Sequence, residues 1–234
     1  MNRSFYSIGT WLLGIFFISS ALVACASPTK DGFKSSSNST SGYPEIWWKE
    51  VPRDGAPDWE ILPQDAGPGE VILSKRHELG IFSNFATTPI TVEGESYASI
   101  EGFWQMMKFP ENQQDPRALF PGLVWPHTRA EVAQMSSFTA KKAGTIAEEH
   151  MKTMGIDWVT WRGQKMVYRS QDRGLHYDLI HRAMVAKFEQ NPEVKRLLIA
   201  TGDLILRPDH KQDADVPDEW KYYNIWMELR SKLK

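Results

Sequence analysis

Three polar side chains, Glu101, Gln105 and Lys108, lie within an otherwise apolar stretch, SIEGFWQMMKF, at residues 99–109. Successive residues of an α-helix are rotated by about 100°, so Gln105 and Lys108 would fall within about 40° of Glu101, on one narrow stripe. A helix that is apolar around most of its circumference is usually buried. The stripe is therefore predicted to face either an internal polar network or a cavity.

Two interpretations of this stripe follow from the chemistry of its residues. In the first, Glu101 pairs internally with Gln105 or with Lys108, because these spacings bring side chains to the same helix face. In the second, the stripe lines a ligand cavity, and both the helix dipole and Lys108 favour an ionised Glu101. A carboxylate on an aromatic wall can stabilise a positively charged sugar transition state or activate water as a general base.

The elements that would position the stripe can be predicted from the neighbouring residues. Ser99 is a predicted N-cap, and Pro110 is predicted to end a helix of about ten residues at Phe109. Before this helix, PITVEGESY at residues 89–97 predicts two short strands that turn at Glu93 and Gly94.

The rest of the chain is mostly helical in pattern. Helices are predicted in residues 129–137, 138–155, 175–202 and 220–233, with a break at Pro192 in the third range, and short strands in residues 70–75 and 203–208. Residues 156–174 are ambiguous and are consistent with a β-turn. The predicted fold class is mainly α with a small β component, an α+β single domain.

The N-terminal residues indicate export and lipidation. Arg3 precedes the apolar run WLLGIFFISSALVA at residues 11–24, which has the length of a signal peptide and is short for a membrane-spanning helix. The run ends in LVAC, which resembles a bacterial lipobox, so we predict cleavage of residues 1–24 and lipidation of Cys25. The predicted location is the cell envelope, outside the cytoplasm. The alternative is an N-terminal anchor that is never cleaved.

Two further segments precede the predicted domain at residues 70–234. Residues 25–42 are Ser-rich and predict a flexible tether behind the lipidated cysteine. Residues 43–69, YPEIWWKEVPRDGAPDWEILPQDAGPG, contain five prolines and predict an extended arm. The three tryptophans of this arm are expected to dock on the domain; the alternative is a strip that binds a partner.

The composition of the chain limits the classes of ligand and partner that it is expected to bind. The net charge is −2 and the isoelectric point is about 6.3, so no general attraction to nucleic acid is expected. The six histidines have no metal-binding spacing and Cys25 is the single cysteine, so we predict neither a metal nor a cofactor. Lys141 and Lys142 are consistent either with a phosphate contact or with a solvated helix face.

Residues 81–109, IFSNFATTPITVEGESYASIEGFWQMMKF, resemble the signature of the NADAR/YbiA-like family. That signature has a Ser-Asn-Phe loop, a glycine turn and a Glu-x-x-x-Gln-x-x-Lys-Phe helix. Residues 181–203 and WMELR at residues 226–230 resemble two later blocks of the family. Together these blocks extend over residues 70–233.

This resemblance implies a YbiA-like domain that hydrolyses the N-glycosidic bond of a nucleotide-like substrate. Phosphorylated riboflavin-pathway intermediates, which are ribosylamines, and ADP-ribose attached to guanine are the implied substrate classes. Glu101 corresponds to the essential glutamate of the family. The residues expected to bind substrate are Asn84, Phe85, Trp104, Gln105, Lys108, Trp158 and His210.

The chain departs from the family pattern in two places. Family members usually have a tryptophan shortly before the second block, and Trp158 and Trp161 are the candidates here, after a longer interval than usual. Many relatives have an Asn-Asp-x-x-Trp-Gly run and a glycine-rich loop where this chain has RPDHKQDADVPDEWKYYN at residues 207–224. Our candidates for a second catalytic acid there are Asp209 and Asp213, with Asp215 and Asp218 as further options. Because glycine-rich backbone often cradles anions, the change leaves open a catalytically inactive ADP-ribose-binding or nucleotide-binding lipoprotein. A purely structural envelope lipoprotein is a third interpretation.

Overall fold

The computed structural model describes residues 42–170 and 173–233. The predicted signal peptide, Cys25 and almost all of the predicted tether lie outside the described residues. Among the residues that are described, none of the helices combines the length and apolar character needed to cross a membrane.

The described residues form an α+β domain with six α-helices and three two-stranded sheets, which confirms the predicted fold class. The helices are α1 (Ile100–Met106), α2 (Arg129–Ala133), α3 (Ser137–Met154), α4 (Leu175–Gln190), α5 (Pro192–Ala200) and α6 (Tyr222–Ser231). The strands are β1 (Glu70–Ile72), β2 (Ile90–Val92), β3 (Glu95–Tyr97), β4 (Trp158–Trp161), β5 (Gln164–Val167) and β6 (Ile205–Arg207).

The two antiparallel sheets are hairpins with tight turns. Strands β2 and β3 turn at Glu93 and Gly94, whose φ angles of 48° and 84° are the positive values that a two-residue hairpin turn requires. Arg162 and Gly163, with φ angles of 52° and 74°, form the same kind of turn between β4 and β5. The segment that was ambiguous in sequence is thus a hairpin. Strands β1 and β6 pair in parallel.

Helix α1 lies at the centre of the domain and contacts α2, α3 and α4. All of its residues are buried. Ser99 caps it as predicted, because the Ser99 hydroxyl accepts a hydrogen bond of 2.9 Å from the backbone N–H of Gly102. The regular helix ends at Met106, earlier than predicted, since Lys108 and Phe109 bond three residues back, in a tighter final turn.

The predicted arm, residues 43–69, packs on the rest of the domain. Trp47 is buried, and its indole N–H donates a hydrogen bond of 2.8 Å to Glu78 Oε1. The indole N–H of Trp48 donates to the backbone carbonyl of Glu70 at 2.9 Å. Trp59 is the exception, because its side chain remains largely exposed.

Close packing of α1 on α2 depends on Gly102. A Cβ atom at this position would lie 2.4 Å from the carbonyl oxygen of Met135 and 3.0 Å from that of Val132. We expect Gly102→Ala to lower the free energy of unfolding by about 1–3 kcal/mol, since relieving this overlap requires the helices to separate. Urea unfolding measures the effect. Thr139→Ala, an exposed substitution in α3, should leave stability unchanged; equal stability of the two variants would contradict the packing argument.

Candidate active site

A loop at residues 82–85 carries the Ser-Asn-Phe sequence, and its first two carbonyl groups are bound by side chains from distant helices. The indole N–H of Trp226 in α6 donates to the carbonyl oxygen of Phe82 at 2.9 Å. Lys187 Nζ in α4 donates to the carbonyl oxygen of Ser83, also at 2.9 Å. Both donors are completely buried.

The other two carbonyl groups of loop 82–85 accept hydrogen bonds from the backbone of two more helices. The N–H of Glu101, in the first turn of α1, donates to the carbonyl oxygen of Asn84 at 2.9 Å. The N–H of Ser137, at the start of α3, donates to that of Phe85 at 3.1 Å. Four helices therefore hold this loop against the position of Glu101.

A cavity of about 340 Å³ opens beside loop 82–85 and α1. Its walls come from the arm, the loop, α1, α3, the residue after β5 and the segment between β6 and α6. The lining residues include Trp59, Lys75, Asn84, Phe85, Glu101, Trp104, Gln105, Phe138, Lys141, Tyr168, His210, Lys211, Gln212 and Trp220.

Glu101 and Gln105 both line this cavity and are bonded to each other. Gln105 Nε2 donates a hydrogen bond of 2.8 Å to Glu101 Oε1. The Glu101 residue is only 6% exposed. The two interpretations of the polar stripe thus combine, because Gln105 orients the carboxylate while both residues face a ligand-sized space.

The electrostatic environment of Glu101 differs from the prediction. Burial raises the pKa of the Glu101 carboxyl group. The hydrogen bond from Gln105 and the positive charges of Lys141, Lys108 and Lys75 lower it, without cancelling the effect of burial. The sequence predicts that the helix dipole and Lys108 keep Glu101 ionised, but burial has the larger effect. The pKa of Glu101 is therefore shifted upward, toward neutral pH.

Gly144 in α3 determines where the Gln105 amide can lie. A Cβ atom at position 144 would be 1.7 Å from Gln105 Oε1 and 2.2 Å from its Cδ. Such a separation is impossible, so any other residue would displace the amide that orients Glu101. The close approach of α3 and α1 is therefore part of the site.

Five buried polar atoms of the residues that line the cavity have no hydrogen-bond partner among the described residues. Three are amide oxygens, of Asn84, Gln105 and Gln212, and the other two are the indole nitrogen of Trp220 and the hydroxyl oxygen of Tyr222. Buried polar groups are normally paired, because desolvation without a partner is costly. The cavity lining thus offers three acceptors, one donor and one hydroxyl group to a polar ligand or to water.

Lys108 does not line the cavity, although the sequence predicted that it binds substrate. Its ammonium group is fully buried, 3.6 Å from Glu148 Oε1 and 4.7 Å from the ring centroid of Tyr168. Burial lowers the pKa of Lys108 to about 8. Its neighbour Tyr168 lines the cavity, whereas Lys108 does not.

Asp209 lies directly behind the cavity wall and is buried. Its carboxylate pairs with Lys75 and, at 3.1 Å, with Nδ1 of His210, and both of these partners line the cavity. Burial alone would raise the pKa of Asp209, but the His210 hydrogen bond and the charge of Lys75 hold it below its usual value. Asp209 thus remains ionised and orients two cavity residues.

The structure does not bring two other predicted site residues to the cavity. Asp213 is exposed in the loop before α6 and is absent from the lining. The Trp158 ring lies between Arg117, at 5.0 Å from its centroid, and Lys165, at 4.1 Å. The hairpin of β4 and β5 directs Trp158 away from the cavity, so Trp158 cannot stack on a ligand there.

Several lining residues were missed in the sequence analysis. Tyr168 and Trp220 supply aromatic surface, and Arg169 stacks on Trp220 at 5.0 Å from the ring centroid. Trp220 lies in the segment that departs from the family's Trp-Gly run, which was a usable signal. Lys141 lines the cavity whereas its neighbour Lys142 is exposed, a distinction that the sequence left open.

The described ranges, 42–170 and 173–233, contain no group of three or more His, Cys, Asp or Glu side chains arranged to hold a metal ion. The polar groups of the cavity are instead one carboxylate, amides, lysines and a histidine. These groups suit hydrogen bonding and proton transfer to an organic ligand.

Comparison with known proteins gives one group of relatives. The chain is similar to the N-glycosidase YbiA of Escherichia coli strain K12. The two are 28% identical over 166 residues, which covers 68% of this chain and 85% of the relative. The N-glycosidases YbiA of Shigella boydii and Shigella flexneri match with the same identity and coverage. These similarities support the YbiA-like resemblance of the sequence.

Two other comparisons complete this result. No family model matches the chain. Among solved structures, the NMR structure of the Escherichia coli protein YbiA is similar, with a TM-score of 0.44 and 24% sequence identity, covering 68% of this chain and 81% of that chain.

Because Lys187 is buried, the free energy of unfolding of the protein should depend on pH. Burial lowers the pKa of Lys187 to about 7, whereas an unfolded lysine has a pKa of about 10.4. Between these values the unfolded chain binds more protons, so the free energy of unfolding should rise with pH. We expect a contribution of roughly 2 kcal/mol between pH 7 and pH 9. Burial raises the pKa of Tyr97 and Tyr168 to about 12, which reverses the trend only above pH 10.

Urea unfolding of Lys187→Met across this pH range tests the assignment. The variant should be less stable than the wild type at pH 9, since it loses the bond to Ser83, and its stability should rise less with pH. Lys142→Met, at an exposed lysine, should keep the wild-type slope. An unchanged slope in Lys187→Met would show that Lys187 is not the titrating group.

Proposed function

We propose that this protein is an N-glycosidase that hydrolyses the N-glycosidic bond of a nucleotide-like substrate, such as an ADP-ribosyl or ribosylamine compound. The observation that carries the proposal is the Glu101 carboxyl group, buried on an aromatic wall, oriented by Gln105 and facing a cavity. Similarity to the N-glycosidase YbiA supports an N-glycosidase-like function at the level of the family.

The proposed reaction is displacement by water at the anomeric carbon. Glu101 accepts a proton from the attacking water, whose oxygen forms the new bond to that carbon. The carbon–nitrogen bond breaks, and the nitrogen leaves with the bonding electron pair and takes up a proton. His210, which lines the cavity and is held by Asp209, is the proposed donor of that proton. Negative charge on Glu101 also stabilises the cationic sugar transition state.

The remaining lining residues suit the other parts of such a substrate. Trp104, Tyr168 and Trp220 offer aromatic surface on which a base can stack. The amide oxygens of Asn84 and Gln105 accept hydrogen bonds from sugar hydroxyl or base amino groups. Lys141, which also lies on the wall, provides a positive charge for a phosphate group.

We further propose that the enzyme acts outside the cytoplasm, attached to a bacterial membrane through a lipid on Cys25. The support is the LVAC sequence at residues 22–25 behind the apolar run. Metabolic labelling with a radioactive fatty acid tests this placement, since Cys25→Ala should abolish the incorporated label.

A second candidate function is ligand binding without hydrolysis. Among the described residues, Glu101 is the single carboxylate that lines the cavity. Most glycoside hydrolases use two carboxyl groups at the reacting bond, and Asp209 is engaged with Lys75 and His210. If His210 does not supply the second proton-transfer group, the same cavity binds nucleotide-like ligands without turnover.

Replacement of Glu101 tests the catalytic assignment. Glu101→Gln keeps the size of the side chain and its contact with Gln105 but removes the proton acceptor. We expect hydrolysis of ADP-ribosyl-guanosine or of a phosphoribosylamino-pyrimidine to fall by a factor of about 100 or more. Stability should stay equal or rise, because burial already disfavours the charged carboxylate. Product formation is followed by chromatography and stability by thermal unfolding.

Glu149→Gln is the matched control, because Glu149 is exposed in α3. It should retain full activity. Wild-type turnover that survives in Glu101→Gln would contradict the proposed role of Glu101. Binding of these compounds by wild-type protein in calorimetry, with no product, would favour the second candidate function.

Gly144→Ala tests whether Gln105 orients the catalytic carboxyl group. The added methyl group must displace the Gln105 amide, so we expect kcat to fall about tenfold or more, because misorientation of a reacting group is costly. Ala140 already occupies the same helix without such overlap, so the helix itself tolerates alanine. Wild-type kcat in a correctly folded Gly144→Ala protein would exclude this positioning role.

A further inference from the structure

Trp59 is a large aromatic residue that lines the cavity while 44% of its surface is exposed. It belongs to the arm at residues 43–69, whose other two tryptophans pack on the domain through indole hydrogen bonds. A tryptophan held at the mouth of a cavity with this much exposed surface offers a face for a flat ligand.

The backbone around Trp59 is fixed to the cavity wall. The N–H of Lys211 donates to the carbonyl oxygen of Trp59, and the N–H of Ile61 donates to that of Asp209, each at 2.9 Å. These two bonds form an antiparallel bridge between Glu60 and His210. The arm is thereby attached to the segment that carries His210.

A bidentate ion pair strengthens this attachment. Arg76 donates to the two carboxylate oxygens of Glu60 at 2.8 Å and 2.6 Å. The pair lies next to Lys75, which binds Asp209. The main chain of Trp59 is therefore held in place, although its ring is covered by little protein.

The aromatic residues that line the cavity fall into a buried group and an exposed group. Trp104 and Tyr168 are buried, close to Gln105 and Glu101. In the exposed group, Phe138 has 52% of its surface exposed and packs edge-on against Phe85 at 5.2 Å. Trp59 is the other member of this exposed group.

Two lysines accompany these aromatic rings. Lys141 and Lys211 both line the cavity, and neither forms an ion pair within the described part of the chain. Lysine ammonium groups without a protein partner can bind phosphate as point charges. The lining therefore combines a reacting end, cationic groups and a second aromatic surface.

We propose that Trp59 determines substrate specificity by stacking on a second flat aromatic group of the ligand, which an anionic linker joins to the sugar at Glu101. Of the substrate classes already proposed, this role of Trp59 favours the ADP-ribosyl compounds, which carry a ring at each end. This inference rests on the proposed function for the reacting end, but the arm and Trp59 form a separate subsite that has its own binding readout.

Calorimetry with two probes tests the subsite. ADP-ribose carries the adenine ring, the diphosphate and the sugar, whereas ribose 5-phosphate lacks the ring. Trp59→Ala should weaken binding of ADP-ribose by about 10- to 100-fold, the effect of losing one stacked base, and should leave ribose 5-phosphate binding unchanged. Trp59→Phe should recover most of the ADP-ribose affinity. Phe120→Ala, at an exposed aromatic residue outside the cavity lining, should alter neither affinity.

The outcomes separate this subsite from the catalytic proposal. Equal weakening of both probes in Trp59→Ala, or weakening of neither, would overturn the role of Trp59 even if the wild type hydrolyses N-glycosides. Failure of the wild type to bind ADP-ribose would also overturn it. If Trp59→Ala selectively loses ADP-ribose affinity while the wild type forms no product, the subsite is supported and the catalytic proposal is refuted.

Discussion

Loop 82–85, which is buried at Phe82 and Ser83 and half-buried at Asn84 and Phe85, lies beside the candidate active site, and the need to satisfy its carbonyl groups organises much of the domain. Buried carbonyl groups are costly unless each accepts a hydrogen bond. Here the four donors come from α6, α4, α1 and α3. One of them is the ammonium or amine group of Lys187, whose pKa burial lowers to about 7. Burial of the Lys187 side chain is unfavourable by itself, but its Nζ donates the hydrogen bond that the carbonyl oxygen of Ser83 needs and so holds the loop.

This arrangement couples the position of Glu101 to the packing of the helices. The backbone of Glu101 is bonded to the loop, its side chain is bonded to Gln105, and Gln105 fits only because Gly144 lacks a side chain. The network is well connected through its backbone, yet the oxygen of the Gln105 amide is left without a protein partner. In a preorganised binding site, the supporting polar groups are hydrogen-bonded within the protein while an acceptor that faces the cavity stays available to a ligand. Loop 82–85 and Gln105 show this combination.

Local features of this fold were predictable from the sequence, whereas the assembly of the cavity was only partly so. The cap at Ser99 and the hairpin turn at Glu93 depend on a few neighbouring residues, and both occur as predicted. Lys108 was misplaced because an ideal helix period was applied beyond Met106, where the turn tightens. Trp158 was predicted to bind substrate and Trp220 was not considered, because nothing local reveals that the β4–β5 hairpin carries Trp158 away from the cavity while Trp220 lines it. Resemblance to a family identified residues on loop 82–85 and α1, but the arm and the segment before α6 meet the cavity only through long-range contacts.

The surroundings of Glu101 and Asp209 shift the pKa values of these two carboxyl groups in opposite directions, and this difference points to different roles. Burial raises the pKa of Glu101, which has one neutral amide as its hydrogen-bond partner. Asp209 is also buried, but Lys75 and His210 keep its pKa low. Pairs of acids whose environments separate their pKa values commonly take different roles at one site. A carboxyl group that stays ionised is suited to orienting His210 and Lys75, whereas one with a raised pKa is suited to exchanging a proton with water. The sequence shows that both acids are present, but only their burial and their partners determine which one stays ionised and which one has a raised pKa.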